Sequence, residues 1–249
     1  MATVAAAATR ASRIKQRILL YCMNPSPMIH NTFKSSPQFF FSRSHSICDI
    51  QEKFRGVIYE FPKLVSTSQK LLKASTHLNI PVYVSTQNRA RLGETVAELQ
   101  PFLSGPHVRA DIEKTLFSMI TPELRAKLPD TSSTYSNSSS TSNANETTPL
   151  DAIIVGLETH ICVTQTTLDL LALGYRVYVV ADGVSSVNPE ERLVALARLR
   201  DAGAIITTSE SLIFEILGDA KHDAFKAING LVKETKDETE AALGAFCRI

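Results

Sequence analysis

Hydrophobic and polar positions along residues 150–217 follow two alternating periods. Ala152 to Gly156 is a continuous apolar run, read as a buried strand. Val163 to Leu173 has helical spacing and stops at Gly174. The cycle then repeats: a strand over 176–182, a helix over 189–202, a strand over 204–208 and a helix over 212–217. Asn188, Pro189 and Glu191 form a helix start, with Asn as cap, Pro at the first position and Glu completing a capping-box arrangement. Upstream, Leu64, Val65, Leu71, Leu72 and Leu78 mark a helix, and the β-branched run after Pro81 marks a strand over 81–87. Short helices are expected over 96–103 and 122–128. Strands alternating with helices predict an α/β fold: a central, mostly parallel sheet with helices on both faces, in three αβα layers. A site in such a sheet lies at the carboxyl ends of the strands.

Two stretches break the pattern. Residues 130–149 are a Ser/Thr/Asn tract unable to bury a core, read as a disordered surface insertion in one loop rather than a linker. Its two Asn-x-Ser/Thr sequons, at Asn137 and Asn145, come with no evident secretory signal. Residues 1–46 lack a clean period. Three readings stay open for them: a mitochondrial transit peptide, sequence foreign to the folded domain, or a disordered tail. Ser42 to Ser46 is too polar for a central buried strand, so the strand expected before Asp49 is predicted to be damaged or absent. The folded domain is therefore expected over 47–233, with 234–249 as a tail.

Composition narrows the class. The 249 residues are 44% hydrophobic and 20% charged, which suits one domain with a sizeable core. Formal net charge is +1, giving no global signal for nucleic acid or membrane. The distribution is uneven: residues 1–48 carry six basic and no acidic residues, leaving 20 basic and 25 acidic, a net of −5, for the rest. No apolar run is long enough to cross a bilayer. Cys22, Cys48, Cys162 and Cys247 are scattered, with no C-x-x-C, which suits a reducing compartment. The expected location is cytoplasmic, or mitochondrial if residues 1–46 act as a transit peptide.

Candidate chemistry centres on Cys162, which falls where a strand turns into a helix. Unpaired N–H groups and the helix dipole favour a thiolate there. A small buried hydrophobe is the competing reading. Asp49 and Lys114 would converge on the same sheet edge if the fold forms as read; alone, each is equally a turn residue or a solvated charge. His160 lies too close in a tight turn to face Cys162. Cys48 could act as a resolving thiol only if its side chain met Cys162, and alternation along a strand points it away from Asp49.

Three segments resemble the isochorismatase-like cysteine hydrolases. They are Cys48-Asp-Ile-Gln-Glu-Lys-Phe, Glu113-Lys-Thr-Leu-Phe-Ser and the G-x-x-T-x-x-C-V turn of Gly156 to Val163. Together with Leu193-Val-Ala-Leu-Ala-Arg-Leu-Arg, they are most similar to the eukaryotic isochorismatase domain-containing proteins. The resemblance covers roughly residues 47–233 and implies a sheet of roughly six strands. It implies a triad of Asp49, Lys114 and Cys162, with a covalent intermediate on the cysteine. It further implies a cis peptide before Glu158 and an oxyanion turn at Glu158 and Thr159. Thr159 would brace that turn through its hydroxyl or serve only as a helix-start residue. Phe54, Gln87 and Phe117 are candidate substrate contacts; core packing or a plain surface role is the alternative for each. Residues 50–76 contain no His, so the nicotinamidase-type Asp-x-His metal motif is missing, and neither metal nor cofactor is expected. The expected partner is a small-molecule substrate, with no nucleic acid or membrane, in a homo-oligomer. The competing function is a non-catalytic interaction protein of the same fold.

Overall fold

A computed structural model describes residues 43–129 and 150–247. The strands are β1 (Arg43–Cys48), β2 (Val82–Gln87), β3 (Val108–Lys114), β4 (Asp151–Gly156), β5 (Arg176–Val184) and β6 (Ile205–Thr207). They pair in parallel throughout, in the order β3-β2-β1-β4-β5-β6. The helices are α1 (Phe61–Leu78), α2 (Arg89–Leu92), α3 (Pro122–Arg125), α4 (Thr164–Ala172), α5 (Pro189–Asp201), α6 (Ser209–Leu217), α7 (Phe225–Glu234) and α8 (Lys236–Phe246). No helix among the described residues is long and apolar enough to cross a membrane.

The sheet divides the core in two because successive strand residues face opposite sides. Ile47, Val82, Val84, Ile153 and Val155 point to one face and pack with residues of α1, α6, α7 and α8. Cys48, Tyr83, Ile112, Ala152 and Ile154 point to the other and pack with α3, α4 and α5. The six-stranded αβα architecture agrees with the sequence pattern.

Four local expectations need correcting. The polar stretch before Asp49 is a central strand: β1 pairs with β2 on one side and β4 on the other, so the fold begins upstream of residue 47. Backbone pairing does not depend on side-chain polarity, and the flanking strands are apolar enough to hold it. β3 was not anticipated as a strand. It lies at the sheet edge with one face wet, so charged Arg109, Asp111 and Glu113 interleave with Ala110 and Ile112. Residues 234–249 are not merely a tail, because α8 inserts Ala242 and Phe246 into the α1-side core. Asn188 occupies the N-cap of α5 with no side-chain cap hydrogen bond. Instead Arg192, buried on α5, donates to the carbonyls of Ala181, Val184 and Phe246 and so ties β5 to the end of α8. The readings of residues 1–42 and 130–149 lie outside the described residues.

Candidate active site

The site is assembled at the carboxyl ends of β1, β3 and β4. Asp49 follows β1 directly and adopts a left-handed conformation, φ 56°. Strict alternation would have sent its side chain to the α1 face, away from Cys48. The positive φ breaks that alternation, and both side chains meet at one place. Ser85 Oγ of β2 donates to Asp49 Oδ1 at 2.8 Å, and Lys114 Nζ donates to Oδ2 at 2.7 Å.

Lys114 ends β3 on the same face as Ile112, so its ammonium reaches the same cluster. It sits in a cage of acceptors: Asp49 Oδ2, Gln87 Oε1 at 2.7 Å, and the carbonyls of Leu116 and Phe117 at 3.1 Å each. Cys162 Sγ lies 3.9 Å from Nζ. Burial opposes the charge on Lys114, but the Cys48, Asp49 and Cys162 groups outweigh it and hold its pKa above the ordinary lysine value. The ammonium is therefore a fixed cation and not a proton acceptor.

Cys162 is delivered by a sharp turn after β4. Gly156 has φ 131°, and a Cβ there would stand 2.0 Å from the Cys48 carbonyl oxygen, so only glycine lets the two strand ends touch. Leu157 N–H then donates to Cys48 O. Thr159–Val163 forms a single π-helical turn, closed by Val163 N–H on Glu158 O, before α4 begins at Thr164. Cys162 thus stands inside the π-turn, 7% exposed, with its Sγ within 4.8 Å of both Asp49 and Cys48 ligand atoms.

The structure brings Asp49, Lys114 and Cys162 into one buried cluster, the three residues that the family resemblance pointed to. Several other expectations change. No cis peptide occurs among the described residues, so the bond before Glu158 is trans; Gly156 supplies the reversal instead. Thr159 does not brace the turn through its hydroxyl, whose oxygen is buried without a hydrogen-bond partner. Its backbone does that work: the N–H donates to Ser185 O and Ser186 Oγ, and the carbonyl accepts from Thr164 Oγ1. Glu158 accepts from Val187 N–H and ties the turn to the loop after β5. Phe54 packs against the α1-side core. Phe117 is 52% exposed, with its own carbonyl on Lys114. Gln87 spends its Oε1 on Lys114, so it positions the lysine. His160 Nδ1 lies 3.2 Å from Ser186 Oγ and 3.6 Å from Glu158 Oε2.

Sequence reasoning missed four contributors. Cys48 does not point away from Asp49: its Sγ is 3.6 Å from Asp49 Oδ2. Ser85 orients the carboxylate. Gln51, fully buried, accepts from Gln87 N–H and donates to Gln87 O and Gly93 O, fixing the residue that in turn holds Lys114. Leu116 supplies a carbonyl. Gln51 lies inside the Cys48–Phe54 motif, a signal whose role was illegible without the fold.

Cys48, Asp49 and Cys162 form a donor set of two sulfurs and a carboxylate close enough to share a metal ion. Lys114 already supplies the cation at Asp49, and a dication there would face its ammonium. A separate cleft of ≈ 600 Å³, lined by Glu210, Val232, Lys236 and Leu243 among others, lies between α6, α7 and α8, and no cysteine lines it.

The isochorismatase domain profile matches residues 46–211. Isochorismatase domain-containing protein 2 of Xenopus laevis is 40% identical over 191 residues, covering 76% of this chain and 82% of its own length. The structure of MAR1 ribonuclease from Caenorhabditis elegans aligns with a TM-score of 0.66 and 35% identity, over 78% of this chain and 90% of the other. YcaC from Escherichia coli, described as an octameric hydrolase of unknown specificity, shares the fold at 18% identity, TM-score 0.65, over 85% and 97% of the two chains.

Proposed function

The chain belongs to the isochorismatase family, and from that premise we propose that it hydrolyses a small amide or related small molecule with Cys162 as nucleophile. One observation carries the reading. A carboxylate, an ammonium and a thiol from three separate strand ends meet in one buried cluster, with Lys114 Nζ 2.7 Å from Asp49 Oδ2 and 3.9 Å from Cys162 Sγ. Asp49 takes the thiol proton, and the Lys114 ammonium stabilises the resulting thiolate. The thiolate attacks the carbonyl carbon. The developing oxyanion is met by N–H groups of the first turn, where helix donors lack intrahelical partners. Cys162 N–H is the candidate donor, since Thr159 N–H is already taken by Ser185 and Ser186. Collapse expels the amine with the proton from Asp49 and leaves a thioester on Cys162. Water, deprotonated by Asp49, then releases the acid and restores the thiol. Phe117, exposed beside the Lys114 cage, is the proposed apolar wall for substrate.

Iodoacetamide tests this reading. Cys162 is expected to label near neutral pH at least about tenfold faster than a free thiol, and Asp49→Ala or Lys114→Ala is expected to remove that advantage. Labelling at the rate of an ordinary thiol, unchanged by either substitution, would favour a non-catalytic interaction protein of the same fold. We further propose a homo-oligomer, which accords with exposed Leu193 and Val194 on α5 and with the octamer described for the E. coli relative. A monomeric mass by light scattering would end that proposal.

A further inference from the structure

Hydrolysis as derived above leaves Cys48 without a task, although it touches the reacting group. Its Sγ and that of Cys162 lie within 4.8 Å of each other, and Cys48 is completely buried while Cys162 keeps a small exposure of 7%. A small oxidant therefore meets Cys162 first. Burial, the hydrogen bond with Cys162 and the Asp49 charge push the Cys48 thiol well above the ordinary cysteine range, so it stays protonated in the resting protein. Cys48 does not compete as a nucleophile; it waits beside one.

We propose that Cys162 is an oxidative modification site and that Cys48 is its resolving thiol. The step rests on the nucleophile reading only in that the same reactive sulfur is the one oxidised. A hydroperoxide is the oxidant. The Cys162 thiolate attacks one peroxide oxygen, the O–O bond breaks, and the other oxygen leaves as hydroxide or alkoxide and takes a proton. Cys162 becomes a sulfenic acid, its sulfur oxidised by two electrons and the peroxide reduced. Cys48 then attacks the Cys162 sulfur, its proton passing by way of Asp49 Oδ2, 3.6 Å from Cys48 Sγ, to the departing hydroxyl, which leaves as water. A Cys48–Cys162 disulfide results, and the nucleophile is masked until a thiol reduces it. Closing the gap to the roughly 2.05 Å of a disulfide takes rotation about the two Cα–Cβ bonds. Trapping the sulfenic acid also protects it from the irreversible sulfinic and sulfonic states.

The test uses the full, pre-reduced chain. It is titrated with hydrogen peroxide, quenched with N-ethylmaleimide and mapped by mass spectrometry without reductant. A peptide joining Cys48 to Cys162 is expected to grow as iodoacetamide-reactive Cys162 disappears, and dithiothreitol should reverse both. In Cys48→Ala, Cys162 should run on to sulfinic and sulfonic acids, with recovery by dithiothreitol about tenfold lower than in the parent. Oxidation of Cys162 without the linked peptide, or its linkage to Cys22 or Cys247 instead, overturns the proposal; the linked-peptide readout needs no variant. Fast iodoacetamide labelling with no linked peptide sinks the disulfide alone. Slow labelling together with peroxide resistance sinks both this proposal and the nucleophile reading.

Discussion

β1 and β4 are neighbours of equal length, paired residue for residue from Arg43↔Asp151 to Cys48↔Gly156 and buried almost throughout. Their sequences could hardly differ more. β4 reads Asp-Ala-Ile-Ile-Val-Gly, as a central parallel strand should. β1 reads Arg-Ser-His-Ser-Ile-Cys. Its polar groups are mostly accommodated: Arg43 pairs with Asp151, Ser44 Oγ donates to Asp151 O, and His45 Nδ1 meets Ser75 Oγ of α1. His45 Nε2 is buried without a partner, a defect that typically costs about 1–3 kcal/mol. The lesson is a division of labour. β4 contributes hydrophobic burial to both cores, whereas β1 is held by its two backbone ladders and by neighbours that are apolar enough for both. Yet each delivers a candidate catalytic group from its carboxyl end.

The two strands touch at Gly156, and breaking that contact should have the largest effect. In Gly156→Ala the new methyl would stand 2.0 Å from the Cys48 backbone oxygen at φ 131°, so the strand ends must part. A loss of at least about 3 kcal/mol in urea unfolding is expected, with Cys162 labelling falling to that of a free thiol. Exchanging the character of register partners comes next. Ile153→His, which copies His45 into β4, should destabilise by about 2–4 kcal/mol, because a buried apolar side chain gives way to an unpartnered polar one. The converse, His45→Ile, should stabilise by about 1–2 kcal/mol, since Ser75 Oγ keeps its bond to Leu71 O. Equal signs for the two would show that β1 and β4 do not differ as argued.

Acid sharpens the same contrast. Burial lowers the His45 pKa from 6.5 to about 3, so between those values the unfolded chain binds a proton that the folded chain refuses. This contribution is complete above about pH 6.5 and fades as pH falls, with a slope of up to about 1.4 kcal/mol per pH unit. Denaturation midpoints measured from pH 7 to pH 4 should lose that component of the slope in His45→Ile. The smallest effect is expected for Arg43→Ala, about 1 kcal/mol or less, because Arg176 still holds both oxygens of Asp151 at 2.7 and 2.8 Å. A loss as large as that of Gly156→Ala would mean that side chains and not backbone ladders hold β1.

Much of this molecule could be read before its fold was known, because strong periods and short motifs are local properties. The alternation of 151–217 became six elements, three strands and three helices, nearly as drawn, and the three motif segments hold the three residues that converge. Reading failed where local chemistry and tertiary role diverge. β1 looked too polar to be a strand, and β3 hid its period behind charges on its wet face. Phe54 was open to both a substrate and a core reading, and only the fold placed it against the α1-side core.

The chain by itself determined the αβα layering, since hydrophobic period is written one position at a time, and its short motifs carried the family resemblance that singled out Asp49, Lys114 and Cys162. Only the tertiary structure decided that Cys48 faces Cys162, that Gln51 steadies Gln87 and so Lys114, and that a polar segment closes the middle of the sheet. Those facts depend on a left-handed φ at Asp49, on contacts between residues far apart in the chain, and on hydrogen-bond ladders supplied by neighbouring strands. None of these is a property of any single stretch of sequence.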